Sequence, residues 1–126
     1  MAAPTASDPR KAKLQGRAQK SSTDAVVAIL SDLFGSSLSA RIAGVNNPEI
    51  INDWAKGRSE PAASIADRLR MTLSIADLLL EHETPAIVRS WFGGQNRMLG
   101  DVSPASVMGS DPDAIWRAAR AFRAYG

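Results

Sequence analysis

Hydrophobic side chains recur at helical spacing along most of the chain after residue 22. A first apolar stripe lies in residues 23–34, and Gly35 predicts the end of that helix. A second runs from about Ile65 to Leu80, with too many leucines for one narrow face, which predicts a central helix that contacts several neighbours. No window alternates apolar and polar positions as a half-buried strand would. The pattern predicts an all-α fold, a helical bundle.

Residues 38–57 predict two short helices joined by a tight turn. Gly44 lies where a helix end favours a left-handed residue, and Asn47-Pro48 is a cap followed by the proline position that a helix tolerates. The second helix buries Trp54 in its apolar stripe. This pattern is typical of a helix-turn-helix, whose second helix can enter the major groove of DNA. Helix pairs of this kind also occur as plain packing units, so both interpretations stay open.

The outward face of the second helix carries side chains that suit DNA. Asparagine can pair with adenine, and Lys56 and Arg58 could contact phosphates. Asp53 adds negative charge on the same face, which repels phosphate. The candidate DNA-binding residues are Asn46, Asn47, Glu49, Asn52, Lys56 and Arg58.

The last third of the chain predicts three shorter helices. Cap-then-proline pairs at residues 84–85 and 111–112 predict two helix starts, and a single turn is expected from Pro104 to Met108. The first helix is expected to end at Gly93-Gly94 and the last to run from Asp113 to about Tyr125. Three arginines recur along one stripe of that last helix, and the alternative is that they only form a solvated face: Arg117, Arg120 and Arg123.

Charge is unevenly distributed along the 126 residues. Residues 1–22 hold five basic side chains against one acidic, a net charge of +4, whereas the rest holds ten basic and twelve acidic, a net charge of −2. The first segment has almost no large apolar side chains and is expected to be a disordered basic tail, either solvated or lying along an anion such as DNA. A body that is not basic weakens the DNA interpretation.

Catalytic and metal chemistry have few candidate residues. There is no cysteine, His82 is the single histidine, and no nucleophile–base set is apparent. No enzyme activity, cofactor or metal is therefore expected. No apolar run approaches the roughly 20 residues that a membrane span needs, and no signal peptide is recognisable, so a cytoplasmic protein without a membrane partner is expected.

Two segments resemble known bacterial families. Residues 38–57 resemble the Xre-type helix-turn-helix, in Ala43-Gly44-Val45 followed by Ile51, Trp54 and Gly57. Residues from about 84 to 126 resemble the Xre/MbcA/ParS toxin-binding domain, in Trp91-Phe92-Gly93-Gly94-Gln95-Asn96, then Leu99-Gly100, Ser103-Pro104 and the terminal helix. The expected organisation is a tail (1–22), a helix-turn-helix region (23–80) and a toxin-binding region (81–126).

The resemblance implies an antitoxin of a type II toxin–antitoxin system. Such a protein binds and blocks a RES-type toxin that consumes NAD, and it represses its own operon through DNA binding, as a homodimer. The toxin-facing residues that the resemblance implies are Trp91, Asn96, Arg97, Leu99, Arg117, Arg120, Arg123 and Tyr125. The alternatives are a stand-alone helix-turn-helix transcriptional regulator and an adaptor that only scaffolds.

Overall fold

Side-chain caps, prolines and glycines divide the chain into short helices. The computed structural model describes Leu14 and residues 16–125, and the rest of the expected tail (1–13 and 15) lies outside the described residues. The helices are α1 (Arg17–Lys20), α2 (Thr23–Ala43), α3 (Glu49–Ala55), α4 (Ala63–Leu80), α5 (Pro85–Gly93), α6 (Pro104–Val107) and α7 (Pro112–Tyr125), with a 3₁₀ turn at Arg97–Leu99. Within these ranges there is no strand, only an isolated bridge between Asn96 and Val102. The predicted all-α fold is confirmed.

Helix α2 consists of two helices joined at Gly35. The backbone there has φ 82° and ψ 162°, a conformation essentially confined to glycine, so the helical path breaks between residues 23–34 and 36–43. Gly35 therefore ends the first helix as predicted. Taken whole, α2 is long and apolar enough to cross a membrane, contrary to the expectation that no run approaches that length. The break leaves two segments, each shorter than the roughly 20 residues of a span.

Residues 36–43 and α3 form a helix pair that matches the predicted boundaries. Gly44 ends the first helix in the left-handed region at φ 78°, and its N–H bonds to the carbonyl of Ala40 at 2.9 Å. Oδ1 of Asn47 accepts the N–H of Glu49 at 3.0 Å, where α3 begins. Trp54 is buried, as the sequence indicated.

Helix α4 is central to the fold. It packs against α1, both parts of α2, α5 and α7, and residues 71–76 are buried without interruption. One hydrophobic core runs through residues of both expected regions, 23–80 and 81–126. Phe34 packs against Phe92 across that boundary, with the ring centroids 5.0 Å apart and the rings tilted by 55°. The C-terminal helices are therefore packed on the same core as the helix pair.

The end of the expected tail is ordered, which corrects the prediction of disorder for residues 16–22. Ala18 in α1 is fully buried against α4. Nη1 of Arg70 donates to the carbonyls of Ala18 and Ser21 at 2.9 and 2.7 Å. Arg17 forms a bidentate ion pair with Asp77. These contacts come from a helix about 50 residues further along the chain, so local composition did not reveal them.

The cap-then-proline pairs begin helices as predicted. The hydroxyl of Thr84 accepts the N–H of Ile87 at 3.3 Å, and Oδ1 of Asp111 accepts the N–H of Ala114 at 3.1 Å. Helix α6 is the expected single turn. Sequence reasoning missed Trp116, which lies on the buried face of α7 and donates from Nε1 to Sδ of Met71 at 2.7 Å.

Candidate interaction surfaces

A groove of about 660 Å³ lies between α7 and the segment that carries the 3₁₀ turn. Small and apolar side chains form most of it, with one amide and one cation. Its lining is Trp91, Asn96, Arg97, Met98, Ala118, Ala121 and Phe122. Three of the residues that the resemblance assigns to a toxin interface therefore lie together here, namely Trp91, Asn96 and Arg97.

Aromatic neighbours fix Trp91 at the edge of this groove. Its ring packs edge-on against buried Phe92 at 5.1 Å and lies 6.2 Å from the ring of Phe122 on α7. The side chain is half-buried, so one part of the indole belongs to the core while another faces the groove. An aromatic ring held in this way is preorganised for contact with a partner.

The turn after Trp91 is held by Asn96. Its Oδ1 accepts the N–H of Met98 at 2.9 Å, and its backbone N–H bonds to the carbonyl of Val102 at 3.0 Å. Its own carbonyl accepts the N–H of Asp101 at 2.9 Å, and Gly100 turns the chain at φ 75°. The side-chain oxygen of Asn96 is therefore used within the turn, at the edge of the groove that this residue lines.

The large exposed apolar side chains of the described residues lie on α5 and in the segment that follows it. Three large hydrophobic residues are exposed in the described part of the chain: Met98 (59%), Val102 (44%) and Ile87 (42%). Met98 lines the groove, Val102 is bridged to Asn96, and Ile87 lies one helical turn before Trp91 on α5. Leu99 is half-buried and packs against the core instead. Clustered exposed apolar surface is typical of an interaction site.

The arginines of α7 do not join this groove. A second depression, on another side of α7, is lined by Leu78, His82, Arg120, Arg123 and Ala124. Successive residues of a helix are about 100° apart, so the α7 residues of this depression lie about 160° around the helix from the α7 residues of the groove, Ala118, Ala121 and Phe122. Arg117 is exposed on the side of α7 between the groove and the second depression. The arginine stripe points outward as expected, but it does not form one surface with the Trp91 turn.

Two arginines of the stripe contact residues of the fold. Arg123 donates to Oε1 of Glu81 at 2.7 Å and to Nε2 of His82 at 2.8 Å, at the end of α4. Arg120 lies over the ring of Trp116 at 5.4 Å, a cation–π distance. The contacts of Arg123 join α7 to the end of α4, whereas that of Arg120 lies within α7. Sequence analysis also named Tyr125, whose side chain lies outside what the structure describes.

The candidate DNA-binding residues share the exposed face of the helix pair. All six are exposed: Asn46, Asn47, Glu49, Asn52, Lys56 and Arg58. Asn47 uses its oxygen to begin α3, and Arg58 lies 3.6 Å from Oδ1 of Asp53. Two carboxylates therefore balance the two cations of this face, Glu49 and Asp53 against Lys56 and Arg58, which reduces its attraction for phosphate.

Four other arginines of the body bind polar groups within the fold. Arg68 and Arg70 donate to backbone carbonyls, Arg89 donates to the carbonyl of Leu33 at 3.0 Å, and Arg41 donates to the hydroxyl of Ser103 at 3.0 Å. Most of these contacts lie at or near helix C-termini, where carbonyls lack helical partners and a cation is favoured. These four positive charges are therefore engaged inside the protein.

Acidic and histidine side chains form no metal-binding cluster in the part of the chain that the structure describes. No three side chains of histidine, aspartate or glutamate converge on a possible metal position there. Ser22, which caps α2, lowers the pKa of Asp24 through a side-chain hydrogen bond. This effect belongs to a helix start and does not indicate a catalytic group.

Protein-family models, curated proteins and solved structures contain no match to this chain.

Sequence reasoning did not identify four of the residues that line the groove: Met98, Ala118, Ala121 and Phe122. Ala118 is buried and Phe122 packs against the core, as expected, and both also line the groove. Nothing in the spacing of Met98 distinguishes an exposed methionine in a turn from a buried one.

Proposed function

We propose that this chain is the antitoxin of a type II toxin–antitoxin system, a non-enzymatic protein that binds and blocks a RES-type NAD-consuming toxin. The observation that carries the proposal is the groove: the signature residues Trp91 and Asn96, separated from α7 in sequence, lie on one surface with it. Exposed Met98 and the rim cation Arg97 give that surface the mixed apolar and basic character of a protein interface. Homodimerisation and a cytoplasmic location belong to the same proposal.

Co-expression with the product of the neighbouring reading frame tests this function. The toxin alone is expected to deplete cellular NAD and arrest growth, and co-expression of this chain is expected to restore both. The two proteins are also expected to co-purify. Absence of co-purification together with unchanged NAD consumption would reject the antitoxin proposal.

Two exposed positions allow a matched comparison of surfaces. Met98→Asp places a carboxylate in the groove at a side chain that is 59% exposed, so the fold is expected to be retained. Lys56→Ala changes an exposed residue of the helix pair. We expect Met98→Asp to abolish neutralisation of the toxin and Lys56→Ala to leave it intact. Equal behaviour of the two variants would exclude the groove from the interface.

The second candidate is a stand-alone transcriptional regulator, favoured by the exposed polar face of the helix pair. Asn52 and Lys56 lie on α3 or directly after it and make no capping bond of the kind that Asn47 makes. A mobility-shift assay on the upstream region distinguishes the two functions. Binding by the chain alone that weakens with salt and is lost in Asn52→Ala with Lys56→Ala supports the regulator. Binding only after toxin is added supports an antitoxin that autoregulates its operon.

A further inference from the structure

The groove beside α7 is apolar along its floor and contains a single charged side chain, Arg97. We infer that it receives an amphipathic helix of a partner protein, whose apolar stripe enters the groove and whose carboxylates meet Arg97. This inference deepens the proposed function, because it takes the groove as the toxin-binding surface and names the chemistry of the segment that occupies it.

The shape of the floor suits a helix. Ala121 is half-buried and presents only a methyl group to the groove, and Ala118 is buried one helical turn before it, so no long side chain keeps another backbone away from α7 here. Trp91 and Phe122 form the walls that larger apolar side chains would contact. An amphipathic helix supplies such side chains at positions i, i+3, i+4 and i+7.

An added strand fits this place less well. Strand addition requires an open sheet edge with unpaired N–H and C=O groups. The described residues offer only the isolated bridge, in which the N–H of Asn96 already bonds to the carbonyl of Val102 and its carbonyl accepts the N–H of Asp101. Side chains, not main-chain hydrogen bonds, therefore have to supply the affinity.

The charge of the lining selects an acidic partner. Arg97 is exposed, and among the described residues it forms no ion pair. Covering a guanidinium with an apolar helix is costly unless a carboxylate comes with that helix. A basic partner segment would add repulsion at the same place.

A second copy of this chain would not supply the carboxylate that a covered Arg97 requires. In a two-fold interface each copy presents the same patch to the other. The lining of the groove holds one cation and no carboxylate, so two Arg97 side chains would enter a shared apolar interface without a counter-ion. The occupant is therefore inferred to be another protein.

Two synthetic peptides of about 15 residues test this inference on the full chain. Both carry the same leucine stripe, flanked by glutamates in one peptide and by lysines in the other. We expect the glutamate peptide to bind at least about tenfold more tightly. Arg97→Glu is expected to reverse the order, and Met98→Asp to weaken binding of the glutamate peptide. Arg120→Glu, on the opposite side of α7, serves as the matched control and is expected to change neither affinity.

Equal affinities for the two peptides, no binding of either, or an unchanged order in Arg97→Glu would overturn the inference. Tighter binding of a proline-rich peptide, or self-association that Met98→Asp abolishes, would assign the groove to a different occupant and overturn it as well. The proposed function fails separately. If Arg97→Glu captures the toxin as well as the unchanged protein does, the antitoxin proposal stands and the helix-binding role of the groove is rejected. If the groove binds the glutamate peptide selectively but the protein captures no toxin, the helix-binding role stands and the antitoxin proposal is rejected.

Discussion

Arg68 donates from Nη1 to the backbone carbonyl of Ala43 at 2.8 Å. Ala43 is the last residue of α2, so the guanidinium binds one of the carbonyls that the helix leaves without a partner. The carbonyl of Ile42 lies 3.3 Å from the same nitrogen, and a β-carbon on Gly109 would lie 2.8 Å from the guanidinium carbon. Arg68 thus joins α4, the turn of the helix pair and the segment that precedes α7.

Replacing Arg68 is expected to weaken the whole fold. Arg68→Ala removes a charge-assisted hydrogen bond to a helix end, and we expect it to lower the free energy of unfolding by about 2 kcal/mol. Arg68→Lys keeps the charge but loses the planar fork, so an intermediate loss is expected. Urea denaturation measures the free energy of unfolding of both variants. Arg117→Ala, at an exposed position of α7, is the control, and a loss as large as that of Arg68→Ala would contradict this account.

Gly44 is expected to tolerate a side chain less well than Gly100. Both residues are in the left-handed region, at φ 78° and 75°, where alanine costs about 1–2 kcal/mol. A β-carbon on Gly44 would also lie 2.8 Å from Nη1 of Arg68, whereas one on Gly100 meets nothing within 4 Å. Gly44→Ala should therefore destabilise the protein by about 1 kcal/mol more than Gly100→Ala.

A double-mutant cycle separates strain from the steric contact at Gly44. In an Arg68→Ala background the crowding atom is gone, so Gly44→Ala should cost only about as much as Gly100→Ala. Strict additivity of the two substitutions in thermal or urea unfolding would mean that Arg68 moves aside without cost.

Arg70 is expected to matter more than Arg17 for the ordering of α1. Arg70 binds two carbonyls and the hydroxyl of Thr23, whereas the pair of Arg17 and Asp77 is solvent-accessible, with 45% and 29% of the side chains exposed. We expect Arg70→Ala to cost about 2 kcal/mol and Arg17→Ala less than about 1 kcal/mol. Amide hydrogen exchange of residues 17–20 should rise strongly only in Arg70→Ala.

Asp24 is expected to contribute to the pH dependence of stability. The hydrogen bond from Ser22 lowers its pKa below the ordinary value of 3.8, so the folded state favours the carboxylate. Its contribution is present above the unfolded-state pKa and is lost as the pH falls through the lower folded-state pKa. Ser22→Ala should raise the pKa of Asp24 towards its ordinary value in an NMR titration, and an unchanged titration would contradict the assigned cause.

Asn47 is expected to act through folding as well as through any contact with DNA. Asn47→Ala leaves the N–H of Glu49 without its partner at the start of α3, which should cost about 1 kcal/mol. Asn46→Ala, at the neighbouring exposed position, should stay within about 0.5 kcal/mol. Chemical denaturation of both variants gives the comparison, and equal stabilities would show that the capping bond contributes nothing.

Local signals predicted most helix boundaries correctly. Gly44, Thr84 and Asp111 act as the sequence indicated, because a left-handed glycine or a capping side chain works within four residues of chain. Distant contacts were beyond such reasoning. The buried bond from Trp116 to Met71 spans 45 residues, and the bond from Arg70 to the carbonyl of Ala18 in α1 spans 52.

At the candidate site, too, the sequence indicated local features but not which distant residues lie together. The run from Trp91 to Asn96 was identified through its resemblance to a toxin-binding domain, and the arginines of α7 were identified as one stripe of a helix. Which of them share a surface was not, because that depends on how α7 is rotated against α4. The buried faces of Ile115, Trp116 and Ala119 set this rotation, and it turns Ala118 and Ala121 towards Met98 while Arg120 and Arg123 face the end of α4.

The sequence by itself determined where most of the helices begin and end, α1 excepted, and that the protein is all-α, since these follow from short-range periodicity, caps and glycine conformations. Only the tertiary structure decided that Arg41, Arg68, Arg70 and Arg89 bind polar groups of the fold and that an apolar groove forms beside α7. The physical reason is that hydrogen bonds to helix ends and the packing of one helix on another join residues far apart in the chain, and no local pattern encodes those pairings.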